Sequence, residues 1–262
     1  MMAINWKNGA TVLVLLTVLR VLAISVSAGE NGTVVLFDGT GLDQWESIGE
    51  GLWSITPEGY LLGQRDPRKP AFEAPWFNNL KAGLNRSWFN TNFKVVMSQA
   101  WLYTKESFTD YDLHVEWWVP SPGNSGISVG DATRARYTFG EASDLAKTPS
   151  QIAYEIQISN NWGDDYPSGS LYSIVEAQTG FQKADGWNVF DIQVREDLLR
   201  VSLNGQVVTE HPGLPDRPKK GPIGLQLHDD KSIVMFRNIW LKKTLRSVSA
   251  EKRECRNRQK PD

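Results

Sequence analysis

From Val34 onward the chain is cut by Gly, Pro, Asn and Asp into short runs that alternate apolar and polar residues, and hardly any stretch keeps a helical period. Side chains alternate between the two faces of a strand, so this pattern predicts an all-β fold. Residues 112–119 put Leu113, Val115, Trp117 and Val119 on one face and Asp112, His114, Glu116 and Trp118 on the other. Residues 152–159 repeat the arrangement, with Ile152, Tyr154, Ile156 and Ile158 inward and Glu155, Gln157 and Ser159 outward. Residues 222–228 follow, with Ile223, Leu225 and Leu227 against Gly224, Gln226 and His228. The expectation is a polar sheet face built from all three runs.

Residues 190–194 and 199–203 read as a hairpin turned at Glu196-Asp197, Asn204-Gly205 marks a further tight turn, and residues 233–241 read as a final strand. Many short antiparallel strands predict a two-sheet sandwich. With 40% hydrophobic and 22% charged residues in 262, one domain with a substantial core suffices. The net charge of −2 supplies no positive field for a phosphate backbone, so nucleic acid is not an expected partner. Eleven Trp and seven Tyr are flat faces that pack cores or stack on sugar rings.

Residues 1–28 read as an export signal: Lys7, an apolar run from Thr11 to Ala23, and the small-residue exit Ser25-Val26-Ser27-Ala28, with cleavage expected after Ala28. Arg20 interrupts the run, which argues against a stable membrane span after cleavage and for a secreted or periplasmic domain. Residues 29–244 form the sandwich domain. Within it, residues 65–99 are rich in Pro, Asn and aromatic side chains and read as a packed flap over the substrate face or at a subunit contact. Residues 245–262 read as a flexible charged tail, and the single cysteine, Cys255, lies in it, so no internal disulfide is available.

Taken together, Leu36-Phe37-Asp38-Gly39 with Leu42 and Trp45, Trp101-Leu102-Tyr103-Thr104, Gly123-Asn124-Ser125-Gly126-Ile127, Tyr154-Glu155-Ile156-Gln157-Ile158, Gly169-Ser170-Leu171-Tyr172, Gly186-Trp187-Asn188, Leu203-Asn204-Gly205, Gly221 through Gln226, and Phe236-Arg237-Asn238-Ile239 resemble, in order and spacing, the 3-keto-disaccharide hydrolase family, also described as 3-keto-glucoside 1,2-lyase and 3-keto-2-hydroxy-glucal hydratase domains. The resemblance covers nearly all of residues 34–243. It implies a concanavalin-like jelly roll that acts on glycosides already oxidised to a ketone at sugar carbon 3. An Arg commonly follows the Asn-Ser-Gly-Ile motif by three residues in that family, where this chain has Gly130; Arg134 or Arg136 is then expected to reach the same space.

The residues supply a separate argument about mechanism. Retaining glycosidases on similar jelly rolls carry Glu-x-Asp-x-x-Glu along one strand, because nucleophile and acid must flank one bond. The corresponding positions here are Glu155, Gln157 and Asn160, so two amides stand where carboxylates are needed. A 3-keto sugar requires less: a base removes the acidified proton at carbon 2, a donor steadies the enolate oxygen, and a second donor protonates the leaving oxygen. Glu155, His228 and Arg136 are the candidate catalytic residues, with His228 open to the roles of base, proton donor, metal ligand or turn histidine. Asn124, Ser125, Gln157, Trp187, Tyr172, Arg134 and Glu116 are the candidate substrate-binding residues; Trp187 and Tyr172 serve as stacking platforms or as core. A divalent metal held through Glu155, His228 or Asp229 is an open alternative to the cation, although no spaced ligand motif demands it. Two other functions fit the same scaffold: a non-catalytic carbohydrate-binding module, and an assembly protein that docks through the flap.

Overall fold

The computed structural model describes residues 32–66, 99–138, 144–161, 163–229 and 231–244. In them the chain forms β1 (Thr33–Phe37), β2 (Trp45–Ile48), β3 (Gly51–Ile55), β4 (Leu61–Arg65), β5 (Ala100–Thr104), β6 (Tyr111–Trp118), β7 (Asn124–Val129), β8 (Tyr154–Ser159), β9 (Asn188–Arg195), β10 (Leu198–Leu203), β11 (Gln206–His211), β12 (Ile223–Leu227) and β13 (Ile233–Lys243). One four-residue helix, α1 (Pro149–Ile152), leads into β8. The export segment, the tail with Cys255, and all of the flap but its ends lie outside the described residues.

The strands build two antiparallel sheets. The larger runs β11-β10-β9-β6-β13-β4-β3, with β1 also paired to β13; the smaller runs β2-β5-β12-β7-β8. The fold is a two-sheet, concanavalin-like jelly-roll sandwich. Its core is the set of inward positions the alternation marks: Leu113, Val115 and Trp117 from β6 meet Ile156, Ile158, Ile223, Leu225 and Leu227 from the small sheet, all fully or almost fully buried. Trp117 and Phe190 pack at 5.2 Å between ring centroids. Each such side chain contributes roughly 1.5–3 kcal/mol by leaving water.

The turns fall where their residues demand. Asn204 and Gly205 both take left-handed φ, 51° and 85°, and close the tight hairpin between β10 and β11. The β9–β10 hairpin turns at residues 196–197, as expected. Ile152, expected to begin a strand, instead ends α1, because Pro149 at the first helical turn and the bond from Ala153 N–H to Pro149 O hold residues 149–152 in a helical turn.

A larger correction concerns the polar face. The outward residues of β8 and β12 do share one face, since both strands flank β7 in the small sheet. Those of β6 do not. β6 pairs with β9 and β13 in the large sheet, so Asp112, His114, Glu116 and Trp118 point out of the opposite side of the sandwich. Period two tells which residues share a face of a strand, but not which sheet that strand joins.

The shared face of the small sheet reads across its strands in register. Tyr103 stands beside Gly224, Gly224 beside Ser128, and Ser128 beside Glu155; in the next row Trp101 and Gln226 are partners, as are Gly126 and Gln157. Trp101 and Tyr103 stack at 5.6 Å and pack with Ala135 and Ile48 into a small second core over the β2–β5 side. The Tyr103 hydroxyl donates to Asp131 Oδ2 at 2.9 Å, and Asp131 also accepts from Thr133 and from Ala135 N–H. This buries one half of the face and leaves the β12–β7–β8 half as the place where polar side chains are exposed to a cavity.

Candidate active site

Glu155 projects from β8 toward β7, across the backbone of Gly126. A Cβ added at Gly126 would come within 2.8 Å of Glu155 Oε1 and 3.0 Å of Cγ, so the carboxylate occupies the space that any larger residue there would fill. It reaches Gln226 of β12, whose Nε2 donates to Glu155 Oε1 at 2.8 Å. Gln226 is 0% exposed and Glu155 6% exposed.

Burial of this kind penalises the charged form. It pushes the Glu155 carboxyl up to about 7 from its ordinary 4.5, against the opposing pull of His228 and of the Gln226 hydrogen bond. Gln226 Oε1, buried beside it, has no hydrogen-bond partner, nor does Asn124 Oδ1 at the cavity edge. Buried polar groups are normally satisfied, so this face is built to meet something more than itself.

Glu155 opens into a cavity of about 360 Å³ whose walls include Gln157, Asn124, Tyr172 and His228. His228 lies just beyond β12 with Nδ1 3.1 Å from Asp229 Oδ2. The His228 bond, together with that from Lys231 N–H, holds the Asp229 carboxyl well below the usual carboxylate range despite its burial. An ionised carboxylate only accepts, so Nδ1 carries a proton and Nε2 is the ring nitrogen left for the cavity. The Tyr172 hydroxyl is raised by burial first and then by Glu155, Tyr166, Asp164 and Asp165, which keeps it a donor at neutral pH. Its main-chain N–H donates to Glu155 O at 2.9 Å, which fastens Tyr172 beside that residue.

Of the residues expected from sequence, Glu155, His228, Gln157, Asn124 and Tyr172 thus line one cavity. The others do not. Ser125 alternates to the core side of β7, where its Oγ donates to Gln226 O at 2.7 Å. Glu116 is held by Arg237 at 2.7 Å and Asn238 at 2.6 Å on the large sheet. Trp187 is on that side too, with the Arg237 guanidinium 4.2 Å above its ring and Tyr60 5.0 Å away. His114, bonded to Asp191 at 2.7 Å and stacked on Trp240, belongs to the same outer surface.

The arginine expectation also fails, for a backbone reason. Arg134 donates to Lys105 O at 2.9 Å and lies 3.8 Å from Glu46, over the β2–β5 side of the sheet. Arg136 is exposed on a 3-10 turn and lines no part of the cavity. Gly130 has φ +87°, and an added Cβ would overlap the Pro218 carbonyl oxygen. No side chain fits there, so an Arg could not simply replace it. Asn160 is likewise committed: its Nδ2 donates to Ala184 O at 2.8 Å and its Oδ1 accepts from Gln182. Among the described residues no three His, Cys, Asp or Glu side chains converge, which gives the divalent ion no ready cage.

Sequence reasoning missed Gln226 as a site residue, together with Gln99, Thr148, Ser150 and the Asp164–Tyr166 turn that line the cavity. Gln226 alternates onto the same face as His228, and that period was the available signal; nothing local marks the turn.

A jelly roll with a buried, near-neutral carboxyl at the centre of an amide-lined cavity is therefore the class of domain defined by fold and site. The profile of a family described as the 3-keto-alpha-glucoside-1,2-lyase-like domain matches residues 32–242, and the chain belongs to that family. A provisionally assigned glycosyl hydrolase of Parabacteroides distasonis is 23% identical, with 82% of this chain and 100% of that one covered and a TM-score of 0.56. A second such protein from the same organism is 17% identical, with 82% and 94% covered and the same TM-score. Both show the fold. Among curated proteins none matches the chain.

Proposed function

We propose that the chain is an exported enzyme that cleaves 3-keto-glycosides by elimination, with Glu155 as the base. The observation that carries this reading is a buried carboxyl, raised to about 7, in a cavity whose strand offers Gln157 in place of a second carboxylate. A base with its midpoint near working pH is suited to removing a moderately acidified proton.

In the proposed reaction the ionised Glu155 takes the proton from carbon 2, and the C–H electron pair passes into the carbon 3 carbonyl as an enolate. His228, which can carry positive charge, takes the enolate oxygen at Nε2. The enolate then re-forms the ketone and expels the oxygen on carbon 1, leaving a carbon 1–carbon 2 double bond. Tyr172 delivers the proton to the departing oxygen. Addition of water across that double bond gives net hydrolysis. Export remains part of the proposal and rests on residues 1–28; no helix of the described residues is long and apolar enough to cross a membrane.

The test is incubation of the purified domain with a 3-keto-disaccharide and with its unoxidised parent. Aglycone release from the keto form alone, slowed by deuterium at carbon 2 and abolished by Glu155→Gln, is the expected result. Cleavage of the parent sugar, or full activity in Glu155→Gln, overturns the mechanism. One observation favours a second reading, a carbohydrate-binding module: neither Arg134 nor Arg136 lines the cavity, so no guanidinium from the described residues meets the enolate. Binding of the unoxidised sugar with turnover of neither form selects that reading.

A further inference from the structure

Among the described residues that line the Glu155 cavity, His228 is the one basic side chain, set against Glu155 and two further carboxylates. Asp164 and Asp165 form one rim, both exposed, and no Lys or Arg is among the described residues that line it. Asp164 is fixed in place, since the Ser159 hydroxyl donates to its Oδ2. It also stands between two cavities. Beyond it lies a second one of about 520 Å³, lined among others by the amides of Gln178 and Gln182 and by one aromatic side chain, Phe181; again the described lining has no Lys or Arg. Both volumes fall in the range of small-molecule sites, about 300–1,000 Å³. Amides and an aromatic face are what a hydroxylated, uncharged ring needs. The carboxylates at Asp164 and Asp165 are felt as far as the Tyr172 hydroxyl.

We propose that the leaving-group portion of the substrate crosses Asp164 and Asp165 toward this second cavity, and that the site takes glycosides with neutral or cationic aglycones, amino sugars included, and rejects uronates and phosphorylated sugars. This deepens the reading of Glu155 as the centre of a 3-keto-glycoside site. A negative group brought beside fixed carboxylates is repelled, while an ammonium group is attracted, and a site discriminates by that difference.

The test compares 3-keto-glucosides whose aglycone is glucose, glucosamine or glucuronate, read as kcat/KM, and the unoxidised parents read as dissociation constants. The glucuronate form is expected to fall about tenfold or more below the glucose form, and the glucosamine form to equal or exceed it. The double variant Asp164→Asn, Asp165→Asn should close the anion gap to about threefold, and so should raising salt on the unmodified protein from about 20 mM to about 500 mM. Equal handling of glucose and glucuronate forms overturns the proposal, as does a gap that neither the double variant nor salt narrows. An inactive chain that still ranks the parents by charge sinks the reaction and keeps the charge rule; an active one indifferent to charge does the reverse.

Discussion

Replacing Glu155 by Gln should abolish turnover and yet stabilise the fold, and the structure gives both the size and the pH dependence of the gain. The carboxyl titrates near 7 in the fold and near 4.5 when unburied. Below pH 4.5 it is neutral in both folded and unfolded chains and carries no penalty. Between 4.5 and 7 the unfolded chain ionises while the folded one resists, so stability is lost as pH rises through this window. Above 7 the loss is complete, and at 1.36 kcal/mol per pH unit it amounts to about 3 kcal/mol.

Glutamine has no proton to lose and keeps the shape. Its carbonyl can accept from Gln226 Nε2, as Glu155 Oε1 does at 2.8 Å, and its amide can donate to Gln226 Oε1, which otherwise has no partner. The variant should therefore match the parent at pH 4.5 and exceed it by about 2–3 kcal/mol at pH 8. Denaturant titrations followed by tryptophan fluorescence, repeated from pH 4 to pH 8, measure the difference directly. A gap between the two proteins that does not change with pH would refute the assignment of a raised carboxyl, whatever its sign.

Other perturbations separate the roles of the remaining residues. The kcat/KM for a 3-keto-glycoside should rise with pH and level off above about 7, because in the proposed mechanism the ionised form of Glu155 is the base. Gly126→Ala should cost about 1–3 kcal/mol, since the added Cβ would press on the buried Glu155 side chain at Oε1 and Cγ, and by displacing the carboxylate it should lower kcat by about 10²-fold. Gly130→Arg should not supply the missing cation; its strained φ and the Pro218 carbonyl should cost more than about 2 kcal/mol in a denaturant titration. Glu116→Ala should lower stability by about 1–2 kcal/mol through lost bonds to Arg237 and Asn238 while leaving turnover within about twofold.

The strands and the centre of the site were legible in the sequence because both follow from period two. Leu113, Val115 and Trp117 had to face inward, and Glu155 and Gln157 had to face outward together. What period two cannot encode is which strands become neighbours. His114 and Glu116 alternate in the same way as Glu155 and Gln157, yet β6 pairs with β13, so they bond to Asp191 and Arg237 on the far side of the sandwich. Ser125 illustrates the finer limit: it adjoins Asn124 in the motif, and adjacency in a strand places the two on opposite faces. The Asp164–Tyr166 turn reaches the cavity only because residues 168–172 fold back along β8, with Gly169 N–H bonded to Gln157 O and Tyr172 N–H to Glu155 O.

The backbone also explains why this chain departs from the arginine its family commonly carries. The segment after β7 must turn at Gly130 with positive φ and pass against Pro218, so that position is reserved for the smallest residue. Arg134 lies further along the same turn, also at positive φ, and its guanidinium caps Lys105 O beside Glu46 instead of approaching Glu155. Among the described residues the cavity's basic side chain is then His228, whose proton on Nδ1 is fixed by the ionised Asp229. Asp229→Asn tests this arrangement: an amide no longer dictates which ring nitrogen holds the proton, so kcat for a 3-keto-glycoside should fall about tenfold or more while denaturant titrations show the fold intact.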